Sequence, residues 1–140
     1  MSERPPINGV LETALYVDDV ARSVGFYRDL LEFNLLFQSE RGAGLSVEGR
    51  QVLLLFRKGG TRDPISSDRG IIPPHDGDGN LHMAFAIPLD ALDAWEERLR
   101  GKGIDIESRY HWERGGYSLY FRDPDGHLIE LVTPGCWTIY

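Results

Sequence analysis

Hydrophobic and polar positions in the first 57 residues change from strand-like to helix-like spacing and back. Residues 10–17 are rich in β-formers and stop at two aspartates, of which Asp19 is placed to cap a helix with its carboxylate. Apolar residues then recur at helical spacing, namely Val20, Val24, Phe26, Tyr27, Leu30 and Leu31. Segments 34–39, 44–47 and 51–57 predict short strands separated by glycine-containing turns. The first half therefore predicts a strand, a helix and three strands.

The second half has the same order of elements. Residues 80–87 predict a strand, and residues 89–100 predict a helix whose apolar side consists of Leu89, Leu92, Trp95 and Leu99. Three more strands are predicted at 104–110, 117–122 and 127–133. The run Asp123-Pro124-Asp125-Gly126 predicts a tight turn, because proline presets one backbone angle and glycine accepts a positive φ.

The segment between the halves, residues 58–80, is rich in glycine and proline and has no apolar periodicity. It predicts a long loop, and loops of that length either link units or cover a functional site.

The two halves also match residue by residue. Glu12-Thr-Ala-Leu-Tyr-Val aligns with His82-Met-Ala-Phe-Ala-Ile, and Gln51-Val-Leu-Leu-Leu aligns with His127-Leu-Ile-Glu-Leu. A unit of this size cannot cover both faces of its sheet, so two units must pack together. We predict one α+β domain over residues 1–140, with βαβββ modules at about 8–58 and 80–134 joined by a linker at 59–79. The two sheets are expected to curl into a half-barrel cup.

Charge and composition narrow the function classes. The net charge of -7 comes from interspersed acidic and basic residues, which argues against a nucleic-acid surface because such a surface needs a basic stripe. No segment has the apolar length of a membrane span or a signal peptide. Cys136 is the single cysteine, so no intramolecular disulfide can form. We expect a soluble, cytoplasmic protein.

Charged side chains interrupt apolar strands at three positions. Glu12 and His82 occupy equivalent places on the first strand of each unit, and Glu130 lies inside the run Leu-Ile-Glu-Leu. A buried carboxylate needs a cation or a donor, because otherwise it costs several kcal/mol or becomes protonated. Two carboxylates and one imidazole that converge would bind a divalent metal. The alternative for each residue alone is a solvent-facing side chain or a pair with arginine.

These residues lie in motifs that resemble the vicinal oxygen chelate (VOC) superfamily of glyoxalases, bleomycin-resistance proteins and extradiol dioxygenases. The resemblance covers about 10–133 and rests on ETALYVDDVARSVGFYRDLLEF in unit one and on LHMAFAIP and SLYFRDPDGHLIELVTP in unit two. It implies that Glu12, His82 and Glu130 hold a metal. It also implies a homodimer, and in some relatives module one of one chain pairs with module two of the other.

Two positions depart from the pattern of that superfamily. Its first-strand ligand is commonly His or Gln and is Glu12 here, while the fourth ligand of glyoxalase I falls on Leu54, which cannot bind metal or move a proton. The resemblance therefore favours the three-ligand branches, the extradiol dioxygenases and fosfomycin-resistance proteins. Two carboxylates favour hard ions such as Mn²⁺, Fe²⁺ or Mg²⁺, and Zn²⁺ or Ni²⁺ also accept such ligands.

Other candidate residues surround the expected site. By resemblance, Ser118 and Tyr120 match residues that contact the phosphonate in fosfomycin thiol transferases, whereas the lysine and arginine of those enzymes fall on Tyr110 and Ile139. Tyr120 is a candidate catalytic residue that donates a hydrogen bond to a substrate oxygen, and core packing is its alternative. His75, in the loop, is a candidate acid–base residue, and an exposed loop histidine is the alternative.

Three functions follow as hypotheses. The first is a metal-dependent enzyme of the glyoxalase or dioxygenase type, in which the ion binds two neighbouring oxygens of a small substrate. The second is a metal-free protein of the bleomycin-resistance type that sequesters an aromatic cation, and the aromatic residues available for stacking are Tyr16, Phe56, Trp112 and Trp137. The third is a thiol transferase of the fosfomycin-resistance type.

Overall fold

Two units of identical element order make up the structure, a computed structural model that describes residues 3–140. Unit one contains β1 (Glu12–Val17), α1 (Val20–Leu31), β2 (Asn34–Gln38), β3 (Gly42–Val47) and β4 (Gln51–Arg57). The connecting segment contains β5 (Ile65–Ser67) and β6 (Gly70–Ile72). Unit two contains β7 (His82–Ala86), a 3-10 turn (Leu89–Ala91), α2 (Leu92–Gly101), β8 (Ser108–His111), β9 (Tyr117–Arg122) and β10 (Leu128–Val132).

Each unit forms a four-stranded sheet, in the order β1-β4-β3-β2 or β7-β10-β9-β8. The first strand of each unit lies parallel to the last, with Ala14 opposite Leu54 in unit one and Ala84 opposite Glu130 in unit two. Leu54 and Glu130 are therefore equivalent positions, as the alignment of the two halves of the sequence predicts. The predicted α+β fold of two similar modules is confirmed.

The buried core lies on the helix-facing side of both sheets. Side chains alternate across a strand, and Leu15 and Val17 of β1, like Ile129 and Leu131 of β10, are almost fully buried in one cluster. That cluster contains residues of both units. The intervening positions, which include Glu12, His82 and Glu130, lie on the opposite faces of the sheets.

The structure contains both local features that the sequence predicts, the Asp19 cap of α1 and the tight turn at 123–126. Asp19 caps α1, because its carboxylate accepts a hydrogen bond from the Arg22 backbone N–H at 3.1 Å. In the turn between β9 and β10, Gly126 has φ +80° and its N–H donates to the Asp123 carbonyl at 3.0 Å.

Polar contacts join this turn to unit one. The Tyr27 hydroxyl donates to Asp123 Oδ2 at 2.7 Å, and the Asp18 N–H donates to Asp125 Oδ1 at 2.8 Å. His127 is fully buried, with Nε2 2.7 Å from the Tyr16 carbonyl and Nδ1 accepting from the Leu81 N–H at 2.9 Å. Hydrogen bonds from the turn at 123–126 and from His127 therefore connect unit two to unit one.

Replacement of Tyr27 by phenylalanine is expected to lower the free energy of unfolding by about 2 kcal/mol, because the buried Asp123 carboxylate loses a donor. Burial and the Asp123 charge hold the pKa of Tyr27 far above its usual value, so the phenol is the donor at every relevant pH. Urea unfolding measures the change. Tyr110→Phe, at an exposed position, is the control and should change it by less than about 0.5 kcal/mol; equal losses would contradict the assignment.

The structure differs from the predicted elements in the connecting segment and at the starts of several elements. α2 begins at Leu92, since Leu89–Ala91 forms a 3-10 turn. Segment 58–80 is not a bare loop, since β5 and β6 pair as a small hairpin. β3 begins at Gly42, because its pairing with β4 continues to Gly42 opposite Phe56. β8 begins only at Ser108, because residues before it close α2, with the Ile104 N–H donating to the Leu99 carbonyl. Within residues 3–140, no helix has the length and apolar character needed to cross a membrane.

Candidate metal site

Glu130 is a buried carboxylate in the middle of an apolar strand. It is 6% exposed, although its neighbours Ile129 and Leu131 point into the core and Glu130 points to the other face of the sheet. Its backbone lies between Ala84 of β7 and Tyr120 of β9. Glu130 therefore lies on a central strand of the sheet, with a paired strand on each side.

The imidazole of His82 faces this carboxylate. His82 Nε2 lies 3.2 Å from Glu130 Oε1, and His82 Nδ1 lies 2.9 Å from the Leu128 carbonyl oxygen. Because a carbonyl only accepts, Nδ1 carries the proton of the neutral ring and Nε2 presents a lone pair to a carboxylate oxygen. Two lone pairs at this distance require a cation between them, either a proton on Nε2 or a metal ion.

The distance fits two ligands of one metal ion. Metal–N and metal–O bonds of about 2.1 Å at octahedral or tetrahedral angles separate the two ligand atoms by roughly 3.0–3.4 Å. Histidine ligands also commonly donate their second ring N–H to a backbone carbonyl, as His82 does to Leu128. The nitrogen and oxygen donors present thus suit a divalent ion.

The second oxygen of Glu130 is held by the protein. The Ser118 hydroxyl donates to Glu130 Oε2, and Trp112 Nε1–H donates to Ser118 Oγ at 2.8 Å. Ser118 is fully buried, so its hydroxyl orients Glu130, whereas the resemblance assigned it to a substrate phosphonate. This positioning role was missed from the sequence; the available signal was that Ser118 and Glu130 fall on the same face of two neighbouring antiparallel strands.

Tyr120 lies directly opposite Glu130 on β9, with its ring centroid 6.5 Å from that of His82. Partial burial, and next the charge of Glu130, raise the pKa of the Tyr120 phenol above its usual value. The phenol therefore stays protonated at neutral pH and is a hydrogen-bond donor beside the site. The same two causes raise the pKa of the Cys136 thiol, which disfavours a nucleophilic thiolate.

Glu12 is not brought to this pair within one chain. It is exposed at the start of β1, and residues 3–140 contain no group of three His, Cys, Asp or Glu side chains that could hold a metal ion. The equivalent of Glu130 in unit one is Leu54. One chain therefore brings together two of the three predicted ligands, and the role of Glu12 remains a prediction.

His75 lies on unit one, on the same face of β1 as Glu12. Its Nδ1 is 2.6 Å from the Tyr16 hydroxyl, and its ring packs against Phe56 with centroids 4.7 Å apart. The contact with Tyr16 could not be predicted from the sequence, since the two residues are 59 positions apart.

The four aromatic residues named for drug stacking do not form one cluster. Tyr16 and Phe56 lie together in unit one, whereas Trp112 binds Ser118 in unit two and Trp137 is 69% exposed near the C-terminus.

Comparison with known proteins places the chain in a family. Residues 9–131 match the sequence model of the Glyoxalase/Bleomycin resistance protein/Dioxygenase superfamily. The chain is 30% identical over 128 residues to the metallothiol transferase FosB of Staphylococcus saprophyticus, covering 91% of this chain and 78% of that protein. It is 32% identical over 117 residues to the glutathione transferase FosA of Serratia marcescens, covering 84% and 74%.

The fold comparison agrees. The structure of lactoylglutathione lyase from Agrobacterium tumefaciens superimposes with a TM-score of 0.87 at 30% identity, covering 96% of this chain and 99% of that one. The chain belongs to the Glyoxalase/Bleomycin resistance protein/Dioxygenase superfamily.

Proposed function

We propose that the protein is a metal-dependent enzyme whose divalent ion is held by His82 and Glu130 of one chain and by Glu12 of a second copy. One observation carries the proposal: His82 Nε2 faces Glu130 Oε1 at 3.2 Å, while the other polar atom of each side chain is held by the protein. A metal-free drug-binding protein has no need for this pair.

A second copy would supply Glu12 through a dimer of this chain. The face of β1 that carries Glu12 and the face of β7 that carries His82 both lie away from the shared core, and both side chains are exposed. Apolar side chains of unit one are also exposed, including Leu11 at 66% and Phe37 at 49%. An isologous dimer would use both faces and create two equal sites.

The charges of the three proposed ligands add up to -2 and would neutralise a divalent ion. Two carboxylates and a neutral imidazole balance a divalent ion, which favours Mn²⁺, Fe²⁺ or Mg²⁺, with Zn²⁺ or Ni²⁺ also acceptable to this donor set. When bound, such an ion supplies Lewis-acid stabilisation of charge on two neighbouring substrate oxygens.

The chain's own residues orient the substrate and control a proton. Trp112 and Ser118 fix Glu130, so the carboxylate needs little reorganisation during the reaction. Tyr120, protonated beside Glu130, donates a hydrogen bond to a substrate oxygen.

A thiol transferase of the fosfomycin-resistance type is the second candidate, because the FosB and FosA relatives are transferases by name. Against it, the cations expected from the resemblance are replaced by Tyr110 and Ile139, and Ser118 is already bonded to Glu130. A dianionic phosphonate would be poorly neutralised by these side chains.

The test is a screen of Mn²⁺-loaded protein against catechols, hemithioacetals, and fosfomycin with glutathione or a small thiol. We expect turnover of a substrate with two neighbouring neutral or singly charged oxygens, and loss of at least about 100-fold in kcat/KM in His82→Ala. Turnover of fosfomycin would select the second candidate. Activity that is equal in wild type and His82→Ala would contradict both.

A further inference from the structure

A second polar centre lies at the far end of β1 from Glu12. The Tyr16 hydroxyl and His75 Nδ1 are 2.6 Å apart, and the imidazole meets Phe56 edge-on. Tyr16 and Glu12 are four residues apart on one strand and therefore point to the same face of the sheet. His75 comes from segment 58–80, so this segment covers part of the face on which Glu12 lies.

The protein holds His75 in place. Thr61 is fully buried; its hydroxyl donates to the His75 carbonyl at 2.5 Å, and the His75 N–H donates to the Thr61 carbonyl at 3.0 Å. Gly77 packs so closely on the Tyr16 ring that an added Cβ would lie 2.2 Å from Cδ2. His75 is therefore fixed on the sheet, unlike the freely exposed loop histidine that was the sequence-based alternative.

These contacts bear on the hydrogen-bonding state of His75. Burial, and next the charge of Asp76, raise the pKa of Tyr16, so the phenol keeps its proton and is available as a donor to Nδ1 at 2.6 Å. A neutral imidazole that accepts at Nδ1 carries its proton on Nε2. No partner for Nε2 lies within residues 3–140, and that part of the chain has no buried side-chain nitrogen or oxygen without a partner, so Nε2 reaches solvent.

We propose that His75, oriented by Tyr16, recognises the substrate by donating an Nε2–H hydrogen bond to an acceptor remote from the metal-binding end. This inference rests on the proposed function for the position of that end. The Cα atoms of Glu12 and Tyr16 are about 13 Å apart at strand spacing. Ala14 and its neighbour Leu54 lie between them on the same face.

The spacing defines a class of substrate. Its members carry two neighbouring oxygens at one end, an apolar middle that lies on Ala14 and Leu54, and a carbonyl or carboxylate at the other end that accepts from His75. Its length is on the order of 10 Å, since side chains at both ends shorten the span between the two strand positions.

Three probes separate the two ends of such a substrate. Caffeate has both ends, 4-methylcatechol has only the neighbouring oxygens, and cinnamate has only the carboxylate. Calorimetry with the Mn²⁺-loaded full-length protein should show caffeate binding at least about tenfold tighter than 4-methylcatechol, the size of one hydrogen bond to a charged group. His75→Phe and Tyr16→Phe should reduce that ratio to about twofold and leave 4-methylcatechol affinity unchanged. His111→Phe, at an exposed histidine stacked on Tyr117, is the matched control.

A second measurement does not depend on the metal. Nitrogen NMR of the metal-free protein should show His75 protonated on Nε2, and cinnamate should shift that resonance in wild type but at least about threefold more weakly in Tyr16→Phe. Protonation on Nδ1, no binding of cinnamate, or equal binding in all variants would overturn the inference. If cinnamate binds through His75 while 4-methylcatechol does not bind, the inference stands and the proposed function fails.

Discussion

Glu130→Gln is expected to lower the affinity of the protein for Mn²⁺ by at least about 100-fold. The substitution removes one negative charge and the oxygen that faces His82 Nε2 at 3.2 Å. Residues that merely orient a ligand are worth about 10–100-fold in metal affinity, so a ligand itself should be worth more. Electron paramagnetic resonance counts free Mn²⁺ directly and gives the affinity.

The fold should survive this substitution. A glutamine side chain keeps an acceptor for the Ser118 hydroxyl, so we expect the free energy of unfolding to change by less than about 1 kcal/mol. Glu107→Gln is the control: Glu107 is an exposed carboxylate paired with Arg122 at 3.1 Å, and its loss should change the Mn²⁺ affinity less than about twofold. Similar losses in the two variants would point to general electrostatics and away from a site at Glu130.

A dimer that combines Glu12→Gln in one chain with Glu130→Gln in the other should bind one Mn²⁺ tightly, half of the wild-type amount. If each site takes Glu12 from one chain and Glu130 from its partner, this mixed dimer has one site with both substitutions and one intact site. Each homodimeric variant should lack tight binding. The physical basis is that one chain brings His82 to Glu130 but does not bring Glu12 to them.

Coexpression with two peptide tags that bind no metal allows the mixed dimer to be isolated. A site completed within one chain would leave the mixed dimer without any intact site, so absence of tight Mn²⁺ binding would contradict the shared arrangement. Sedimentation of the wild-type protein serves as the control, and it should show a dimer.

The architecture could be predicted well from the sequence, because the order of strands and helices follows the local periodicity of apolar residues. Alternation along the strands places Glu130 opposite the core, and the internal repeat gives the equivalence of Leu54 and Glu130 that the strand register confirms. The start of β8 was not predicted, because the apolar residues before it close α2 and do not extend the strand. The β5–β6 hairpin was not predicted, because its segment has no apolar periodicity.

The candidate site was predictable only in part. His82 and Glu130 were found because a charge in an apolar strand needs a partner, and the structure brings them together. Contacts between distant segments could not be read from spacing: the Tyr16–His75 pair joins residues 59 apart, and the role of Ser118 depends on which oxygen of Glu130 it meets. In the proposed arrangement Glu12 joins the site from a second molecule, and spacing within one chain does not predict such a contact.

The metal content of wild-type protein, purified without chelators and without a metal-binding tag, tests the proposed site most directly. After incubation with Mn²⁺ and dialysis, elemental analysis should find about one ion per chain in wild type and almost none in His82→Ala or Glu130→Gln, since each removes a ligand. Wild-type protein that stays free of metal after loading with Mn²⁺, Fe²⁺, Zn²⁺, Ni²⁺ and Mg²⁺ in turn would contradict a metal site at His82 and Glu130.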